Sequence, residues 1–143
     1  MNTTTDGHTL LRRAIALAAE ARESGNPPFG SLLAAPDGTV LAEERNTTLT
    51  DRDITAHPEL KLARWAAREL DAATAATTTM YTSCEPCTMC EAVIRQAGLR
   101  RVVFALSGEQ LLDIRPGSGR PPVPQDGPVL PAEARAVVEG YYR

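Results

Sequence analysis

Apolar positions along the chain fall into blocks whose period changes from helical to strand-like and back. Over residues 10–21 (LLRRAIALAAEA), Leu10, Ile15, Leu17, Ala18 and Ala21 mark one helical face, and "SGNPP" follows with the glycine and prolines that end a helix. "GSLLAA" and "TVLAEE" are short strand-like runs joined by Pro36-Asp37-Gly38, so strands near 30–35 and 39–45 are expected to pair antiparallel. "RNTTLTDRDITA" reads as loop. From His57 to about Leu70 the pattern is helical again, with Leu60, Ala63, Trp65 and Ala67 apolar, and Pro58 suits a first turn because its missing N–H has no intrahelical partner there. "TTTMYTS" (77–83) predicts a strand, "CTMCEAVIRQAG" (87–98) a helix ended by Gly98, and "RVVFAL" (101–106) a further strand. Strand, helix and strand in that order imply a right-handed parallel crossover.

Beyond Leu106 the pattern weakens. Residues 107–128 are rich in proline and glycine and read as a loop or lid, and "PAEARAVVEGYYR" (131–143) as a short closing helix in which Tyr141 and Tyr142 pack. No repeat or linker divides the chain, and 143 residues with 43% hydrophobic content fit one α/β domain spanning 1–143. The longest apolar stretch, 10–21, carries two arginines and a glutamate, so neither a signal segment nor a membrane span is expected, and a cytoplasmic location follows. A formal charge of −3 gives no basic footprint for nucleic acid.

The chemistry concentrates in "TSCEPCTMCEA" (82–92). Its cysteines, Cys84, Cys87 and Cys90, are the only three in the chain, an odd number that argues against a disulfide framework. A CxxC pair serves either as a redox couple or as half of a zinc site, and the second use needs ligands from elsewhere. Two histidines exist: His8, in a polar stretch where solvation explains it, and His57 at a helix start. Cys87 and Cys90, at i and i+3 after Pro86, share one face of a first turn, where the helix start favours thiolates. Two βα units place two helix starts side by side at one end of a sheet, so His57, Cys87 and Cys90 converge with a fourth position open, the mark of catalytic zinc. Glu59, in the turn that His57 begins, is placed to move protons without binding the metal.

His57-Pro58-Glu59 with Pro86-Cys87-Thr88-Met89-Cys90 resembles the H-x-E…P-C-x-x-C signature of the zinc-dependent cytidine deaminase superfamily. "YTSCEPCTMCEAVI", "PPFGSLL" and Asn46 are similar to its guanine deaminase and tRNA adenosine deaminase branch, over roughly residues 10–106. The resemblance implies a three-layer α/β/α fold with a mixed five-stranded sheet. It also implies Zn2+ held by His57, Cys87 and Cys90, Glu59 as proton shuttle, and a homodimer. Asn46 would hydrogen-bond the base or ribose, Phe29 would stand near the pocket wall, and the backbone from Ser83 to Glu85 would meet the ring edge.

Three departures from the pattern bear on substrate. Pro58 stands where the branch has alanine and removes a backbone donor. Residues 107–143 show no match to the segment that closes over guanine, and the low net charge suits a small ligand better than a tRNA stem-loop. Each residue also has an ordinary use: Asn46 shapes loops, Trp65 belongs to a core or interface, and Cys84 suits a buried position better than a third sulfur ligand. The expected function is hydrolytic deamination of a free nucleobase or nucleoside, with a guanine-like purine ahead of a cytosine-like pyrimidine. A tRNA adenosine deaminase and a non-catalytic zinc-binding module are the alternatives.

Overall fold

The computed structural model describes residues 6–115, 117 and 119–142. Helix α1 (Gly7–Glu23) starts where the Asp6 carboxylate accepts from the His8 N–H, and leads into the hairpin of β1 (Gly30–Ala34) and β2 (Val40–Arg45). Gly38, at φ 88°, takes the left-handed position of the connecting turn. The chain continues through α2 (Pro58–Glu69), α3 (Ala72–Thr77), β3 (Thr79–Cys84), α4 (Thr88–Gln96) and β4 (Arg101–Leu106), then α5 (Gly108–Leu112) and α6 (Pro131–Val138).

The sheet has the order β2-β1-β3-β4. β1 pairs antiparallel with both β2 and β3, and β3 pairs parallel with β4. Strands β2, β3 and β4 therefore run the same way, and the helices that follow β2 and β3 begin at the same end of the sheet. Every residue of β1 is buried because helices cover both its faces. Leu10 of α1 packs with Leu32 and Ala34 on one side, while Leu33 and Met80 meet Leu60, Leu62, Ala63, Ala66, Cys90 and Ile94 of α2 and α4 on the other. The result is three layers, α/β/α.

Helix α1 comes very close to the sheet. A Cβ built on Gly30 would stand 2.5 Å from the Ala14 carbonyl oxygen, the Ala18 nitrogen and the Leu17 Cβ, so only glycine lets the backbones of β1 and α1 meet here. The same residue's N–H donates to the Ser83 Oγ at 3.1 Å.

Several expectations need correction. Ile15 is 48% exposed, and Ala14 holds the buried position, since Leu10, Ala14, Leu17, Ala18 and Ala21 follow the helical period more closely. On α2 the core positions include Leu62 and Ala66, whereas Ala67 is exposed. A short helix, α5, closed by a capping box in which Ser107 and Gln110 exchange bonds, replaces expected loop, and α3, capped by Asp71, fills a stretch without an assignment and takes Thr77 from the expected strand, which starts at Thr79. The sheet has four strands among the described residues rather than five. After β4 the chain is too rich in prolines, which lack the N–H a ladder needs, to add another. Tyr141 and Tyr142 stack edge to face, 4.9 Å between centroids, but are exposed rather than packed against the sheet. The closing helix ends at Val138, and Arg143 lies outside the described residues.

Candidate metal centre

His57 and Cys87 occupy equivalent places: each is the N-cap of its helix, α2 and α4 respectively, and neither side chain makes a capping hydrogen bond. Side chains at these two caps are free to point across the end of the sheet at one another. Cys90 joins them from the first turn of α4, fully buried. The His57 Nδ1 lies 3.8 Å from the Cys87 sulfur and 3.4 Å from that of Cys90, and the three donor atoms lie within 4.8 Å of one another.

That spacing fits zinc. Tetrahedral bonds of about 2.3 Å to sulfur and about 2.0–2.1 Å to nitrogen separate the two donors by about 3.6 Å, between the two observed distances. The two thiols titrate against each other: hydrogen bonding from Cys90 draws the Cys87 thiol down to about 5, and the same contact, with burial, pushes Cys90 up. Cys84, at the end of β3, is buried and stands outside the cluster, its thiol pushed up by burial and by Glu59.

Glu59 is 6% exposed, and its Oε1 has no hydrogen-bond partner among the described residues. Burial pushes its carboxyl up to about 6, against the opposing pull of the His57 charge. A buried, unpartnered carboxylate oxygen costs stability and calls for a functional explanation. It stands beside three donors that offer an ion three ligands, the number that leaves a catalytic zinc one open position.

His57, Glu59, Cys84 and Cys87 line a cavity of about 190 Å³ together with Phe29, Asn46, Pro58, Glu85 and Pro86, while Cys90 lies buried outside its lining. Asn46 is 2% exposed; its Oδ1 accepts from the N–H and hydroxyl of Thr48, both at 2.9 Å, which leaves the Nδ2 as its donor toward the cavity. Its backbone N–H donates to the Phe29 carbonyl, fixing both residues at the same edge of β1. Glu85 is held by the Gly108 N–H, 2.8 Å from its Oε1. The Ser83 hydroxyl turns away to Gly30, and the cavity is lined by Cys84 and Glu85 instead.

Gly108, Leu111 and Arg115 complete the wall, and sequence reasoning missed all three. The signal was present in "SGEQLL", a serine three residues before a glutamine and an apolar pair, the pattern of a capped helix start.

A layered α/β/α sheet with one histidine and two cysteines at paired helix starts defines a protein with a three-ligand metal centre. The chain belongs to the family described as the cytidine and deoxycytidylate deaminase zinc-binding region, whose model matches residues 4–106. It is 36% identical over 115 residues to the probable cytosine deaminase of Schizosaccharomyces pombe, covering 78% of this chain and 67% of that protein. It is 40% identical over 98 residues to the guanine deaminase of Bacillus subtilis, covering 68% of this chain but only 62% of the relative. The tRNA-specific adenosine deaminase of Haemophilus influenzae is 32% identical over 98 residues, 68% of this chain and 57% of its own length. The crystal structure of the Bacillus subtilis guanine deaminase superposes with a TM-score of 0.78 at 28% identity, over 96% of this chain and 94% of the other. That coverage carries the likeness past Leu106, into the segment where the sequence showed no match.

Proposed function

We propose that residues 1–143 form a single hydrolytic deaminase domain that removes the exocyclic amine of a free nucleobase or nucleoside as ammonia, with a guanine-like purine as the favoured ring. One observation carries the reading: the Glu59 Oε1, without a hydrogen-bond partner among the described residues, lies buried close to the His57, Cys87 and Cys90 cluster in the lining of a cavity. A structural metal site has no use for such an acid.

Zinc, when held by His57, Cys87 and Cys90, supplies a Lewis acid that brings the pKa of water to about 7. Glu59 takes a proton from the attacking water and delivers it to the departing amine; a carboxyl raised toward neutrality suits both transfers. The Asn46 Nδ2 donates to an acceptor on the ring, and Phe29 offers an apolar wall. Pro58 lines the same cavity without an N–H to donate, so ring recognition falls more heavily on Asn46. The likeness to guanine deaminase over nearly the whole chain supports the purine, and the net charge of −3 favours a small molecule over tRNA. The identity to a probable cytosine deaminase supports a pyrimidine as the second reading.

The exposed apolar residues of α6 and its flanks, Val137, Val138, Tyr141 and Tyr142, support a homodimer in which a second copy covers them. Three free thiols suit the reducing cytoplasm. No helix among the described residues is long and apolar enough to cross a membrane.

The test is ammonia release from guanine, guanosine, adenine, adenosine, cytosine and cytidine by zinc-loaded protein. Turnover of guanine ahead of the others supports the reading. No release from any of them by protein with zinc bound overturns it.

A further inference from the structure

The orientation of the Asn46 side chain is set by its neighbours along the loop. The Thr48 backbone N–H and the Thr48 hydroxyl both donate to the Asn46 Oδ1, each at 2.9 Å. Turning the amide over would set its Nδ2 against that N–H, donor against donor, so the buried side chain has one permitted orientation. The Nδ2 is thereby left to the cavity that Asn46 lines with His57 and Glu59.

A second buried amide stands behind the first. Asn26 accepts at its Oδ1 from the N–H groups of Leu49 and Thr50, at 3.0 and 3.1 Å, and its Nδ2 donates to the Thr50 hydroxyl at 2.9 Å. Its own N–H donates to the Ala21 carbonyl, which ties it to the end of α1. The two residues directly after Thr48 are therefore held to a helix. An asparagine that accepts from the N–H two residues on is an ordinary loop device. Here the same amide also lines the cavity, and the loop that orients it is anchored from outside.

We propose that Thr48 is a positioning residue for ring recognition: it fixes the Asn46 amide with its donor toward the cavity, so the molecule bound there presents a hydrogen-bond acceptor at that edge, a carbonyl oxygen or an unprotonated ring nitrogen. The proposal rests on the deaminase reading above for the ring, and adds how one edge of it is selected. Because the orientation is set before the ring arrives, binding need not order the amide first. A ring with only a donor at that edge meets donor with donor, and the amide has no second orientation to offer. Thr48 acts through Asn46, and Asn26 acts through Thr48.

Binding of guanine and of cytosine is measured by calorimetry on zinc-loaded Glu59→Gln protein, and kcat and KM for ammonia release are measured with Glu59 intact. For the ring that binds more tightly, Thr48→Val keeps the shape and the N–H but loses the hydroxyl, and should weaken binding about three- to tenfold, the range of one hydrogen bond. Thr48→Ser should restore it. The loss should appear in KM, with kcat within about twofold of wild type, whereas a loop that had merely lost stability would lower the active fraction and with it kcat. Asn26→Ala should follow Thr48→Val, and Asn26→Asp, which still accepts from Leu49 and Thr50, should not. In an Asn46→Ala background Thr48→Val should cost less than about twofold, since no amide is left to orient. Asn46→Asp keeps an acceptor for Thr48 but turns an oxygen to the cavity, and should bind the ring at least about tenfold more weakly. Full affinity in Asn46→Asp or in Thr48→Val, or a Thr48→Val loss that persists without Asn46, overturns the proposal alone. Failure of both rings to bind zinc-loaded protein overturns the deaminase reading and the proposal with it.

Discussion

The His57 Nδ1 lies 3.4 Å from the Cys90 sulfur across a separation of 33 residues, a contact made because α2 and α4 begin at the same end of the sheet. The pair is the tighter half of the metal centre, and Cys90 is also buried in the core beside Leu60 and Leu62.

Purified protein should carry about one zinc per chain. Cys87→Ser or Cys90→Ser should lose most of it, because a hydroxyl does not supply the thiolate charge at neutral pH, whereas Cys84→Ser should keep it. Zinc content by atomic absorption decides, and loss confined to Cys84→Ser would displace the ligand assignment.

Glu59→Gln should remain folded and zinc-loaded yet lose about 10⁴ in kcat, at the upper end for removal of a general acid or base, since one residue serves both proton transfers. Substrate affinity should persist. Turnover within a few-fold of wild type in a zinc-loaded variant would assign the proton transfers to another group.

Reaction of an uncharged base or nucleoside should vary less than about twofold between roughly 50 and 200 mM salt, because no phosphates are neutralised. An enzyme that depended on six or more phosphate contacts in RNA would lose about 10³ in affinity over the same range. Initial rates of ammonia release across a salt series make the comparison, with an anticodon stem-loop as the competing substrate.

Gly30→Ala should destabilise the protein by about 1–3 kcal/mol or more, as overpacking does, because two of the three atoms it meets are backbone and have little room to yield. Urea denaturation measures the loss. Phe29 and Ser83 flank the same point, so activity should fall along with stability.

Much of this architecture is legible in the sequence because it depends on local signals. The hairpin around Pro36-Asp37-Gly38, the α2 start at Pro58 and the α4 stop at Gly98 each carry their own punctuation. The ligands and Glu59 are legible for the same reason: two short motifs hold them, and only their convergence needs the fold. Ile15 misleads because a helical face is about 100° wide and one residue's rotation moves a side chain off it. Arg115 is invisible from the sequence since it reaches the cavity through a capped turn inside a proline-rich stretch, where neighbours along the chain say nothing of neighbours in space. The role of Ser83 depends on the close approach of β1 and α1, which fixes Gly30 and claims the serine hydroxyl.

Helix starts are ordinarily closed by serine, threonine, aspartate or asparagine. At α2 and α4 those places go to His57 and Cys87, whose side chains cap nothing. The two first turns are thereby tied to the state of the centre they serve. A chelator should loosen these turns before the rest of the sheet, with amide exchange quickening first around Pro58–Lys61 and Thr88–Glu91. Metal binding and the order of these two turns should therefore be coupled, and exchange that quickens uniformly over the sheet would separate them.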